Sequence, residues 1–130
     1  MISHVHVGVG DFERAKSFYA PLMVALGHVL KFSESRWAGW KPKGADRPLF
    51  LIGAPFNGQA PAPGNGQMIA LLAQSRKTVD ACHAAAIANG GSDEGAPGLR
   101  PQYHPHYYGA YFRDPDGNKL CVCCHNPEPA

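Results

Sequence analysis

The residues best suited to chemistry fall into three groups. His4 and His6 stand two apart near the start of the chain. Cys121, Cys123, Cys124 and His125 crowd its end, and the run Tyr103-His104-Pro105-His106-Tyr107-Tyr108 precedes them. Two imidazoles at i and i+2 on a strand share a face and can hold one ion. With Cys121 as a third ligand they would form a His-His-Cys set with an open fourth position, which zinc accepts. The plainer reading has His4 hydrogen-bonded in a pocket with His6 packed beside it. The cysteines are not spaced like a tetrahedral site, which takes a two-residue-spaced pair on a turn and a second pair far away. On a strand Cys121 and Cys123 share a face while Cys124 points away. They read as buried reduced thiols acting as small hydrophobes. The reactive alternative is Cys121 as a nucleophile activated by His4. In the aromatic run, Tyr107 or His104 reads as a hydrogen-bonding group for a ligand, against plain aromatic packing that closes an irregular stretch. Trp37 and Trp40 are three apart and face opposite sides of a strand. One packs in the core, and the other can floor a ligand pocket. Gly8-Val9-Gly10 is no nucleotide fingerprint, because the third glycine is missing and Asp11 would repel phosphate.

The elements that must position these groups are legible from periodicity. Val5, Val7 and Val9 alternate with His4, His6 and Gly8, which predicts a strand with valines inward and imidazoles outward. Asp11 caps a helix with apolar residues at Phe12, Ala15, Tyr19, Leu22, Met23 and Leu26, which Pro21 should interrupt and Gly27 should end. HVLKF, RWAGW and PLFLI read as three short strands. Residues 54–66, rich in Pro, Gly, Ala and Asn, read as a linker with little to bury. GQMIALLA then reads as a strand, Ser75 as a cap, and Val79, Cys82 and Ala86 as a helical stripe stopped at Asn89-Gly90-Gly91. A loose Gly/Pro stretch follows. YYGAYF and KLCVCC form a hairpin around Asp114-Pro115-Asp116-Gly117, with Tyr111 opposite Cys121 and with Gly109 and Tyr107 on the same side. The plan occurs twice. The cap Asp11 stands seven positions after His4, and Ser75 stands seven positions after Met68. The chain is thus one α+β domain over 1–130, with a first module over about 1–53 and a second over about 67–126.

Composition bounds the function classes. Hydrophobic residues make up 45% of the chain and charged residues 17%, which excludes wholesale disorder. No apolar run approaches the roughly 20 residues of a membrane span, and the start lacks a signal-peptide pattern. A net charge of +2 gives no basic field of the kind nucleic-acid binders carry. Four cysteines without an export signal point to reduced thiols and a cytoplasmic protein.

The opening HVHVGVGDFERAKSFY, the internal repeat and the ending FRDPDGNKLCV resemble the vicinal-oxygen-chelate superfamily. That superfamily holds glyoxalase I, bleomycin- and fosfomycin-resistance proteins and extradiol dioxygenases. The resemblance spans nearly the whole chain. It implies two tandem βαβββ modules whose sheets curl around a cup, with a small ligand bound there, often over a divalent metal such as zinc, iron, nickel or manganese. It also implies modules paired within one chain or across a homodimer, the dimer being expected here. Of the family's four ligand positions His4 matches the first. Leu49, Phe50, Leu51 and Ile52 offer no carboxylate at the second, Met68 holds the third and Cys121 the fourth. The metal site is therefore degenerate, and none of the ten carboxylates has a place in the cup. The expected catalytic residues are Cys121 and Tyr107. His6, Met68, His104, Tyr111 and Trp37 are expected to bind substrate, and His4 to bind a metal. The expected function is glyoxalase-type lyase or isomerase chemistry on a small molecule in the cup. The alternative is non-catalytic sequestration of an aromatic or cationic compound, as in the resistance proteins.

Overall fold

The computed structural model describes residues 1–128 of the chain. The first module runs β1 (His4–Gly8), α1 (Phe12–Leu26), β2 (His28–Glu34), β3 (Trp37–Pro42) and β4 (Leu49–Gly53). The second runs β5 (Ile69–Leu72), α2 (Arg76–Ala88), β6 (Ser92–Leu99), β7 (Tyr108–Arg113) and β8 (Lys119–Cys124). Each module makes an open four-stranded mixed sheet, in the orders β1-β4-β3-β2 and β5-β8-β7-β6. The α+β fold of two βαβββ modules is the one the repeat implies, with the two sheets separate rather than closed into a barrel. Among the described residues no helix is long and apolar enough to cross a membrane.

The helix ends follow their capping residues. The Asp11 side chain accepts the Arg14 N–H at 3.0 Å, and Ser75 accepts the Thr78 N–H at 3.1 Å, each satisfying a donor that the first turn leaves unpaired. Gly27 closes α1 with φ at 84°, a conformation that costs glycine little. Pro21 does not interrupt α1, which continues to Leu26. The carbonyl that Pro21 leaves without a donor belongs to Ser17, an exposed residue whose carbonyl can turn to water. The supposedly loose stretch after α2 is likewise a strand. β6 carries Gly95, Pro97 and Gly98 yet pairs with β7 through register shifts at Asp93/Gly95 and Gly95/Gly98. It is an edge strand, where a missing donor and a bulge are tolerated.

Register divides each sheet into two faces. Val5 and Val7 pair with Phe50 and Ile52, and Ala38 and Trp40 pair with the same two residues from the other side. This face packs on Phe18, Tyr19, Leu22 and Met23 of α1. In the second module Ala110, Phe112, Leu120, Val122 and Cys124 pack on Val79, Cys82 and Ala86 of α2. These residues form one core across both modules, with Phe18 and Phe112 meeting edge to face at 6.2 Å. The other face of each sheet is left for a site.

The β7–β8 turn clamps the modules together. Asp114 is 3% exposed and its carboxylate is fully used. Oδ1 accepts the N–H groups of Asp116 and Asn118, both at 2.9 Å. Oδ2 accepts the Tyr19 hydroxyl at 2.6 Å and the Asn118 amide at 2.8 Å. Burial first, then the Asp114 charge, push the Tyr19 hydroxyl far above its ordinary range, so it stays a donor. Asp116 accepts the Gly10 N–H at 3.0 Å and Asn118 donates to the Gly8 carbonyl at 3.0 Å, which ties β1 to the turn.

Candidate functional site

The free faces of the two sheets differ. On the first, Leu49 and Leu51 lie opposite His4 and His6, and Trp37 and Gly39 lie opposite Gly53 and Leu51. Leu49 and Leu51 are buried, and Trp37 packs edge to face on Phe32 with centroids 4.4 Å apart. A side chain at Gly53 would meet His6 Nε2 and Trp37 Cδ1, both at 3.1 Å, so the imidazole and the indole stand together over that glycine. Burial first, then the nearby His4, hold His6 below its ordinary pKa. His4 itself is exposed, and its Nδ1 pairs with the hydroxyl of its neighbour Ser3 at 3.0 Å.

The second face carries most of the polar groups singled out from the sequence. Tyr111 pairs with Cys121, and Gly109 with Cys123. Tyr107 Oη lies 3.0 Å from Tyr111 Oη and 3.5 Å from Cys121 Sγ. Its ring lies over β7 because Gly109 has no side chain. A Cβ there would meet Tyr107 Cε1 at 2.9 Å. Burial, then the bonds to Cys121 and Tyr111, push the Tyr107 hydroxyl up. A hydrogen bond to Cys123, then burial, push the Cys121 thiol up. Both are therefore protonated donors at neutral pH.

A cleft of about 840 Å³ opens over this face. Tyr103, Tyr107, Tyr111 and Met68 line it, with Arg113 and Lys119 at its border. Tyr103 and Tyr107 meet edge to face at 4.9 Å. Lys119 Nζ sits 5.8 Å from the centre of the Tyr111 ring. Lys119 has no carboxylate partner among the described residues, whereas Arg113 is paired with Glu94. Residues 63–68 form the remaining wall, so the segment read as a linker with little to bury also shapes the cleft. A smaller cleft of about 330 Å³ continues from it between the modules, shares Met68 and Lys119, and reaches His6 and Gly8. Thus Tyr107, Tyr111, His104, Cys121 and Met68 gather on or beside one face, His6 borders the adjoining cleft, and Trp37 and His4 stand apart on the first module.

The metal expected at His4 can be tested against the donors present. By register Leu51 pairs with His6 as Cys121 pairs with Ala70, so a leucine holds the first module's counterpart of the Cys121 position. Met68 offers an exposed thioether, and Cys121 offers a thiol held protonated beside a phenol. Among the described residues no group of three or more His, Cys, Asp or Glu could hold an ion. This donor set does not fit a divalent ion that wants about three hard or borderline ligands.

Sequence reasoning missed two parts of this arrangement. Lys119 and Arg113 flank the hairpin, and alternation alone would have put them on the cleft face. His125 also engages both His104 and Cys123 at the end of β8, which requires a loop conformation that no periodicity reveals.

The sequence model of the Glyoxalase/Bleomycin resistance protein/Dioxygenase superfamily matches residues 1–122. No match was found among curated proteins. Among solved structures, the chain is similar to a glyoxalase/bleomycin resistance protein from Albidiferax ferrireducens T118. The two are 41% identical over 98% of this chain and 99% of the other, with a TM-score of 0.85. It is also similar to TnmS3, an antibiotic binding protein from Streptomyces sp. CB03234, at 26% identity, covering 97% and 96% of the two chains with a TM-score of 0.66. A glyoxalase-related enzyme from Fulvimarina pelagi shares the fold at 20% identity, covering 100% and 93% of the two chains with a TM-score of 0.71.

Proposed function

The chain belongs to the Glyoxalase/Bleomycin resistance protein/Dioxygenase superfamily, and from that premise we propose that it binds a planar aromatic small molecule carrying an acidic group. The binding place is the tyrosine-walled cleft of the second module. The observation that carries this reading is the lining itself: three tyrosines and Met68 around about 840 Å³, with the Lys119 amine at the border and no carboxylate partner. Aromatic walls favour a flat ring by edge and face contacts, each worth about 0.5–1.5 kcal/mol beyond the area buried. A protonated amine beside them selects an anionic substituent. The Tyr107 and Tyr111 hydroxyls are hydrogen-bonded to each other, and the one proton this leaves free can orient a carbonyl or phenolic oxygen of the ligand. The similarity to an antibiotic binding protein supports sequestration. The poor fit of the donor set to a divalent ion supports it too, since the family's isomerase reading also asks for a carboxylate base that this face does not supply.

Titration calorimetry with a panel of planar aromatic acids and their neutral amides tests the proposal. Acids should bind at micromolar Kd, and their amides at least about fivefold more weakly, the loss of one partly exposed charge interaction. Tyr103→Ala should weaken every aromatic ligand, and Lys119→Met should erase the difference between acid and amide. Failure of all acids to bind, or binding unchanged in both variants, would overturn the reading.

A further inference from the structure

Beside the cleft, at the end of β8, a relay of hydrogen bonds has its direction fixed by one backbone donor. The His106 N–H donates to His104 Nδ1 at 3.1 Å, so His104 carries its proton on Nε2. That N–H points at His125 Nδ1, 2.8 Å away, which therefore accepts. His125 in turn keeps its proton on Nε2, and this atom lies 3.7 Å from Cys123 Sγ. A thiol proton aimed at His125 would move the imidazole proton to Nδ1, where it would face the His104 N–H. The Cys123 sulfur is thus an acceptor. A nucleophile, a group that holds its charge and a third group that orients the second make a recognised arrangement for thiol chemistry.

We propose that Cys123 is a nucleophilic thiolate for soft carbon electrophiles of the α,β-unsaturated carbonyl class, with His125 as its donor and His104 as the residue that positions His125. The thiol ionises to solvent, and the sulfur lone pair forms an S–C bond at the β-carbon. The C=C π pair moves onto the carbonyl as an enolate, which takes a proton from water. Net, S–H adds across C=C, and nothing is oxidised or reduced.

The surroundings agree. Cys123 is 5% exposed, while Cys82, Cys121 and Cys124 are at 0%. The titratable groups that face it are Cys121 on its own strand, Tyr107 from the loop before β7 and His125 past β8. β5 and β7 set Leu72 and Gly109 against it. Hydrogen bonding from Cys121 first, then from Tyr107 and from His125, holds Cys123 at about 6 against burial, which pushes it up. Cys121, with its proton committed to its neighbour, is the poorer nucleophile of the two. The proposal stands apart from the aromatic ligand, because Cys123 is not among the residues lining the cleft.

The test is N-ethylmaleimide on the folded full-length protein, followed by intact mass and peptide mapping across pH. One adduct is expected, on Cys123, with a rate that rises through about pH 6 and levels off by neutrality. His125→Ala and His104→Phe should move that midpoint toward the ordinary thiol range and slow labelling at pH 6 by about tenfold, the lost thiolate fraction outweighing the gain in intrinsic reactivity. His104→Gln, which keeps a donor, should restore part of the shift. Thermal melts establish that each variant folds, and the wild-type profile needs no variant. No adduct on folded protein, an adduct on another cysteine first, or a midpoint near 9 would overturn the proposal. Aromatic-acid titrations of Cys123→Ser should match the parent. Loss of binding there would instead show that the two sites are one.

Discussion

At the residue scale, what decides each group is the atom it faces rather than its type. Cys121 and Cys123 share a face and a strand, yet one lies under a phenol with its proton committed and the other accepts from an imidazole. Sequence alternation puts both on the same side and pairs Tyr111 with Cys121, as found. It cannot tell the thiols apart, because the distinction comes from His125 and from a loop histidine 21 residues away. His4 is a related case. Its offset marks it as the family's first ligand, but its nearest polar partner is its own neighbour. Tyr107 separates the two readings of this face. Tyr107→Phe keeps the ring and removes the hydroxyl, so the maleimide-labelling midpoint of Cys123 should rise above about 6. An unchanged midpoint would show that the phenol does not hold the thiolate.

At the element scale, the second module's sheet earns its site through small residues on β7. Gly109 lets the Tyr107 ring fold back against β8, since a methyl group there would come within 2.9 Å of the ring and 3.5 Å of Cys123 Cβ. Gly109→Ala should therefore swing Tyr107 outward at a stability cost of about 1–3 kcal/mol. Weaker aromatic binding together with a raised Cys123 midpoint is the expected pair of readouts. A parent-like protein in both would mean the ring has another way to seat. Elements with strong local signals are legible here: both caps, the helical stripes and the Asp-Pro-Asp-Gly hairpin. Pro21 and β6 are not, because tertiary packing overrides a breaker in α1, and an edge position tolerates Gly95, Pro97 and Gly98 in a strand.

At the scale of the whole molecule, two similar modules share one core. Phe18 reaches across to Phe112, and Tyr19 donates into the buried Asp114 of the opposite module. The repeat is visible in the sequence, but this clamp is not, because it joins residues 95 positions apart. A single calorimetric transition is expected, with van't Hoff and calorimetric enthalpies equal. Tyr19→Phe should lower stability by about 1–3 kcal/mol, the cost of leaving a buried acceptor short of a donor, and should keep one transition. Two resolved transitions in the parent protein would show that the modules fold independently.

The central claim concerns where a ligand sits. Amide and aromatic chemical-shift mapping during titration with a planar aromatic acid tests it most directly. The account predicts that the largest shifts fall on Tyr103, Tyr107, Tyr111, Met68 and Lys119, with Trp37 and His4 unmoved. Shifts centred on Trp37, Phe32 and His6 of the first module, with the tyrosines silent, would contradict it.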